Sequence, residues 1–204
     1  MNGAGKHFSN PVVALDIGNV SMKLTFDEMY RSLDTDPADS GSVACLWKHG
    51  AALETARCTV PEFLDRLDDF TGHCHTREYL LDAWRCGVRE SMPGMYETVR
   101  KLAARGVRFS FMSDISPIHL DQVFRYCDFV HLVSGGIYSF SAGAFKLDGY
   151  TMFEAFECRY GRPLVFFDDR VEIIGQAREF GWNAIRFQSP EQALRDAEAL
   201  LDNL

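Results

Sequence analysis

Two short apolar runs, each ending on an acid, constrain this chain most. Pro11-Val12-Val13-Ala14-Leu15 ends on Asp16 and continues as Ile17-Gly18-Asn19-Val20, and Pro163-Leu164-Val165-Phe166-Phe167 ends on Asp168-Asp169. Unbroken apolar runs rich in Val, Leu and Phe suit strands covered on both faces, as in a parallel sheet between helical layers. Ligands of such open sheets bind outside the carboxyl ends of the strands. Three carboxylates at one such edge repel one another unless a cation lies between them.

From Met92 onward, strand and helix signals alternate in the βαβ manner. Met92-Pro93-Gly94 opens a helix with Pro in its first turn, Val99, Leu102 and Ala103 on its apolar face, and Gly106 as its stop. A strand over 107–112 follows, and Ser116-Pro117 starts another helix as cap and first residue. Asp148 caps a helix carrying Phe153 and Phe156 that stops at Gly161. Residues 171–180 read as a helix ended by Gly181, and 183–187 as a short strand. Ser189-Pro190-Glu191-Gln192 reads as a capping box before the last helix. Between Met22 and Ser91 the texture changes, with helical periodicity over 26–33, 43–56, 61–70 and 76–89 and little strand signal. The expected architecture is an α/β doubly wound parallel-sheet core, residues 10–21 and 90–204. A small helical cap, residues 22–89, is inserted after the first strand.

At 204 residues and 47% hydrophobic content the chain can bury one good core plus a small accessory unit. A net charge of −8 argues against a nucleic-acid partner, since such proteins carry basic patches. No stretch of 18 apolar residues occurs, and Met1 to His7 lacks the apolar run of a signal peptide, so the expectation is a cytoplasmic protein with no membrane partner. Six scattered cysteines without a C-x-x-C pair read as reduced. His73-Cys74-His75 invites a metal reading, but no second cluster completes four ligands.

The polar positions, taken in order, are Asp16, Ser113-Asp114, Lys146 in Ala144-Phe145-Lys146-Leu147-Asp148, and Asp168-Asp169. Over almost the whole chain this set resembles the haloacid dehalogenase-like (HAD) superfamily, with Asp16-Ile17-Gly18-Asn19-Val20 in the place of its nucleophile motif. Pro93-Gly94-Met95-Tyr96 and 134–139 are also similar to family text. The Asp-x-Gly-Asn-Val form and the small helical insert resemble the branch that dephosphorylates glucose 1-phosphate and related sugar phosphates. Seen singly, each residue also reads as ordinary: Asp16 as a turn residue, Ser113 as a helix cap, Lys146 as solvated surface, Asp168-Asp169 as a solvated turn.

The resemblance implies a magnesium-dependent phosphatase acting on a small phosphorylated metabolite, in a monomer or homodimer. Asp16 would attack phosphorus and form an aspartyl-phosphate that water hydrolyses. Asp16, the carbonyl of Gly18, Asp168 and Asp169 would hold the magnesium ion. Ser113, Asp114 and Lys146 would bind phosphate, with Ser113 and Lys146 also counted as catalytic. By residue type alone, Trp84 and Arg85, read with Arg89 on one helix of the cap, suit contact with a sugar ring, although such residues more often close the cap's own core. Two positions depart from the family pattern. Gly18 stands where the superfamily usually has the acid that protonates the leaving group, and Leu147 stands where a Pro usually follows the Lys. Without that acid, substrates with easily departing oxygens are favoured, unless Asp27, Glu28 or His49 of the cap replaces it. The alternatives are a catalytically silent module that binds a phosphorylated ligand or a protein, and a 2-haloacid dehalogenase using the same Asp16.

Overall fold

The computed structural model describes residues 10–204, so the reading of Met1 to His7 lies outside the described residues. The chain runs β1 (Val12–Leu15), β2 (Met22–Leu24), α1 (Phe26–Ser32), α2 (Ser40–Glu54), α3 (Val60–Phe70), α4 (Arg77–Arg85) and β3 (Val88–Ser91). It continues through α5 (Met95–Ala104), β4 (Arg108–Ser113), α6 (Pro117–Tyr126), β5 (Val133–Tyr138), α7 (Ser139–Ala142) and α8 (Thr151–Tyr160). The last elements are β6 (Val165–Asp168), α9 (Val171–Glu179), β7 (Ala184–Arg186) and α10 (Pro190–Leu201).

Five strands form one parallel sheet in the order β5-β4-β1-β6-β7. Alternation along β1 shows why both faces are covered. Val13 and Leu15 join a core with Val99 and Leu102 of α5 and Ala193 and Ala197 of α10. Val12 and Ala14 face Met152, Phe153 and Phe156 of α8 and Ile173 and Ile174 of α9. Phe167 and Phe166 of β6 divide between the two cores in the same way. Each such buried side chain stabilises the fold by about 1.5–3 kcal/mol relative to exposure, so neither face can be left to water. The chain leaves β1 for β4 and β5 on one side and returns to β6 and β7 on the other. The ends of β4, β1 and β6 therefore lie together at the point where ligands bind in such sheets.

Between β1 and β4 the helices α1–α4 enclose a third core around Met29, Leu46, Leu53, Phe63, Leu67, Leu80 and Trp84, which Ile118 of α6 joins. Trp84 lies edge-on to Trp47 and Phe63 at ring separations of 5.6 and 4.8 Å. Gly50 makes this possible, because a Cβ there would stand 2.9 Å from the Trp84 ring. Thr59 and Glu62 form a reciprocal capping box at the start of α3.

Some local expectations fail for identifiable reasons. The helix read over 76–89 stops at Arg85, because Val88–Ser91 pairs antiparallel with Met22–Leu24 as a two-stranded ribbon at the foot of the insert. Arg89 consequently lies on β3, not on the helix of Trp84 and Arg85. Pro93 precedes α5, whose N-cap is Gly94 at φ +84°. Asp148 does not cap α8; its carboxylate accepts the N–H of Phe145 at 3.0 Å, and Tyr150 is the N-cap. The box before α10 is half formed: Ser189 accepts the N–H of Gln192, but the Gln192 side chain accepts the N–H of Gln188. All six cysteines are free. His73 pairs with Asp68 and His75 with Asp34, so the two histidines flanking Cys74 diverge. No helix among the described residues is long and apolar enough to cross a membrane.

Candidate active site

Asp16 follows β1 directly, and its N–H still donates to the carbonyl of Phe167, extending the sheet by one step. The turn behind it is fixed by its own backbone. Ser21 Oγ donates to the Asp16 carbonyl at 2.7 Å, and the N–H groups of Ser21 and Met22 both donate to the Ile17 carbonyl. Asn19 adopts φ +52°, a left-handed conformation that Asn tolerates, and its side chain donates to Asp169 Oδ2 at 3.0 Å. The backbone therefore presents Asp16 and Gly18 to one cleft, and Asn19 ties that turn to the acidic pair.

Lys146 binds the strand ends together. Its ammonium lies 2.8 Å from Asp16 Oδ1 and 2.6 Å from Asp168 Oδ2, with all three side chains buried. The 2.6 Å contact is a hydrogen bond, and the approach to Asp16 is an ion pair. Burial works to lower the affinity of Lys146 for its proton, but Asp16, Asp168 and Asp114 together outweigh it and raise its pKa. Burial pushes the Asp16 carboxyl up from its ordinary value, while the Lys146 charge pulls it back and Asp168 adds to the rise. Asp168 Oδ1 accepts the N–H of Arg170 at 2.9 Å.

The loop carrying Lys146 is held without a Pro at 147. Asp114 accepts the Lys146 N–H at 2.8 Å, Gln176 donates to the Lys146 carbonyl at 2.7 Å, and Asp148 holds Phe145. Leu147 itself is exposed. Asp114 is thus a positioning residue for the Lys146 backbone, and its own carboxyl is pushed up by burial, with Lys146 opposing. Ser113 ends β4 buried at the cleft, while Ser116 is the residue that caps α6.

A cleft of about 180 Å³ opens over this edge. Asp16, Gly18, Ser113, Asp114, Lys146 and Asp169 line it from the sheet side. Leu24, Phe26, Glu54 and Val88 line it from the insert and its ribbon, and His119 from α6. One oxygen from each of Asp16, Asp168 and Asp169 lies within 4.8 Å of the others. Three carboxylates converge where one ammonium stands, and Asp16 Oδ1 is a buried oxygen without a hydrogen bond. An all-oxygen, acidic donor set of this kind fits a hard divalent cation such as magnesium.

The structure brings most of the expected residues together, with two corrections. Trp84 is fully buried among Trp47, Phe63 and His119 and does not reach the cleft. Arg85 pairs with Asp82 beside it on α4, again away from the cleft. The insert's aromatic and basic residues serve its own packing, since four short helices need large side chains to close a core. Lys146 does line the cleft, with its ammonium held by Asp16, Asp168 and the Met112 carbonyl.

Two cleft residues went unread in the sequence. His119 lies flat on Trp84 at 5.1 Å, and its Nε2 is 2.8 Å from the Trp84 carbonyl, so that nitrogen carries the proton. Burial pushes its pKa down to about 4. Glu54 is the last residue of α2, and no hydrogen bond or ion pair engages its carboxyl among the described residues. Nothing in helical periodicity distinguishes a helix-ending Glu that faces a distant cleft from one that faces water.

No protein-family model matches the chain, and no curated protein is similar to it in sequence. Solved structures are similar in fold. A HAD family enzyme from Bacteroides thetaiotaomicron, in complex with magnesium and inorganic phosphate, aligns at a TM-score of 0.76 and 16% identity, over 88% of this chain and 95% of that one. A predicted HAD-like family hydrolase from Porphyromonas gingivalis aligns at 0.74 and 18% identity, over 94% and 98%. The L-2-haloacid dehalogenase of Xanthobacter autotrophicus, with chloropropionic acid covalently bound, aligns at 0.61 and 14% identity, over 93% and 83%. The chain has the α/β fold of the HAD superfamily.

Proposed function

We propose that the protein is a magnesium-dependent phosphatase of the HAD type, hydrolysing a small phosphorylated metabolite through an aspartyl-phosphate on Asp16. The observation that carries this reading is the buried Asp16–Lys146–Asp168 arrangement with Asp169 beside it, three carboxylates against one ammonium. Carbon–halogen hydrolysis at Asp16 has no use for that excess acid, whereas a phosphate monoester dianion beside carboxylates requires a divalent cation. When bound by Asp16, Asp168, Asp169 and the Gly18 carbonyl, magnesium would offset the phosphate's charge beside the nucleophile.

The chain's own residues do the rest. Lys146 opposes the rise that burial imposes on the Asp16 carboxyl and fixes its direction, and Ser113 offers its hydroxyl to a phosphate oxygen. Residues 22–89 serve as a cap that closes the cleft with Leu24, Phe26 and Glu54, so that water is excluded while phosphorus is attacked. A cleft this small suits a sugar phosphate or a similar compact metabolite.

The test is release of inorganic phosphate from a panel of sugar phosphates and an aryl phosphate, with and without magnesium. Turnover should need the metal, and Asp16→Asn should reduce kcat/KM by on the order of 10⁴-fold or more while the protein stays folded. Wild-type turnover by Asp16→Asn would remove the covalent route, and no turnover on any substrate would favour the silent-module alternative.

A further inference from the structure

The acid missing at Gly18 has a counterpart across the cleft. Glu54 ends α2 half-buried, and it shares one small cleft with Asp16, Gly18 and Asp169. We propose that Glu54 is the proton donor and acceptor of the reaction, supplied by the insert in place of an acid at position 18. This inference rests on the phosphatase reading above.

The other titratable groups facing the cleft are committed elsewhere. Asp16 and Lys146 are paired with each other, Asp169 accepts Asn19, and Asp114 holds the Lys146 N–H. The His119 proton is engaged by the Trp84 carbonyl. Asp27 and Glu28, offered by the sequence as replacements, line a neighbouring hollow with Arg31, and His49 packs against Phe70. Arg170 also lines the cleft, but a guanidinium offers only donors and has no site to accept a proton from water. Among the described residues that line the cleft, only Glu54 has a carboxyl with no hydrogen bond or ion pair. Burial first, and then the charge of Asp114, pushes that carboxyl up to about 8, so it carries a proton at neutral pH.

The steps balance. Asp16 forms a bond to phosphorus as the bond from phosphorus to the leaving oxygen breaks, and the Glu54 proton passes to that oxygen. A water then attacks the phosphorus of the aspartyl-phosphate, its proton passes to the Glu54 carboxylate, and the bond to Asp16 breaks. Glu54 ends protonated, as it began.

The experiment compares kcat/KM of the magnesium-loaded parent and Glu54→Gln on glucose 6-phosphate, an alkyl ester that needs protonation, and on para-nitrophenyl phosphate, which does not. The expected result is a fall of about 10²–10⁴-fold on the sugar phosphate and less than about tenfold on the aryl ester. The parent's rate on the sugar phosphate should fall as pH rises through about 8, a limb absent from Glu54→Gln. Glu54→Asp, which keeps the acid on a shorter arm, should lie between the two and covers a failure of the amide variant to fold. Equal losses on both esters, or no loss on the sugar phosphate, would overturn the inference and leave the phosphatase reading standing. A parent inert toward both esters would overturn both.

Discussion

On the sheet side of the cleft, Asp16, Lys146 and Asp168 lie in contact and the carboxylate of Asp169 is tied to Asn19. On the insert side, Glu54 at the end of α2 has no hydrogen bond or ion pair among the described residues, while the insert closes on an aromatic core of Trp47, Phe63 and Trp84. The difference separates two ways of preparing a group for chemistry. Pairing opposes the neutralisation that burial imposes on a carboxyl and fixes it in place, as a nucleophile requires. Burial without pairing drives a carboxyl toward its neutral form, as a proton donor requires. One fold places both environments around a single cleft because the parallel sheet gathers strand ends while the insert contributes a helix end.

The largest expected effect breaks the paired side. Lys146→Met removes the one ammonium that, among the described residues, contacts Asp16 and Asp168, and leaves two buried carboxylates opposed. Removing one partner of a buried pair costs about 3–5 kcal/mol, which for a chain of this length lowers Tm by roughly 10 °C. Magnesium should return part of that loss by taking over the countercharge, so the gain in Tm on adding the metal should be larger in the variant than in the parent. Equal gains would mean that the metal does not sit among these carboxylates. Differential scanning calorimetry with and without the cation reads both quantities.

That pairing was only half legible in the sequence. Apolar runs ending on acids announced a parallel sheet and placed Asp16, Ser113 and Asp168 at one edge, because strand ends in a parallel sheet must share an edge. Lys146 was found from its place in the motif order, but its contacts depend on a loop held by Asp114 and Gln176, residues far away in the chain. The insert was legible as helices and not as a ribbon, since Val88–Ser91 becomes a strand only by pairing with Met22–Leu24. Trp84 and Arg85 were read as ligand contacts because residue type cannot tell a core-filling Trp from one lining a pocket. Glu54 and His119 escaped notice because each occupies the cleft through tertiary packing alone.

A smaller effect probes the joint between the two sides, where His119 of α6 stacks on Trp84 of α4. With a folded-state pKa of about 4 and an ordinary value near 6.5, the unfolded chain takes up this proton first as pH falls. The stability contributed by His119 is therefore complete above pH 6.5 and is lost as pH drops toward 4, by roughly 3 kcal/mol in total. Glu54 and Asp16, acids raised by burial, act in the opposite sense, gaining stability for the fold as pH falls. The comparison of parent with His119→Gln isolates the histidine. Urea unfolding at pH 7 and pH 4.5 should show the variant losing less stability than the parent over that interval. Parallel profiles would mean that His119 is charged in the folded protein and that the joint is not dry.

The smallest expected effect concerns Gly18, and it decides between the two sides as the source of the proton. A Cβ at this position would meet Leu24 Cδ1 at 3.2 Å, the far end of a flexible, half-buried side chain. Gly18→Ala should therefore cost no more than about 1 kcal/mol, the low end of overpacking. It should change kcat/KM on a sugar phosphate less than about threefold, because position 18 takes no part in proton transfer if Glu54 does. Gly18→Asp in the Glu54→Gln background asks the converse question. If the cleft tolerates a proton donor from either wall, the aspartate should restore part of the rate on glucose 6-phosphate and leave para-nitrophenyl phosphate unchanged. A large loss from Gly18→Ala with an unchanged Tm would show that the turn after β1 shapes the transition state directly, and the division of labour between paired sheet edge and unpaired insert would have to be redrawn.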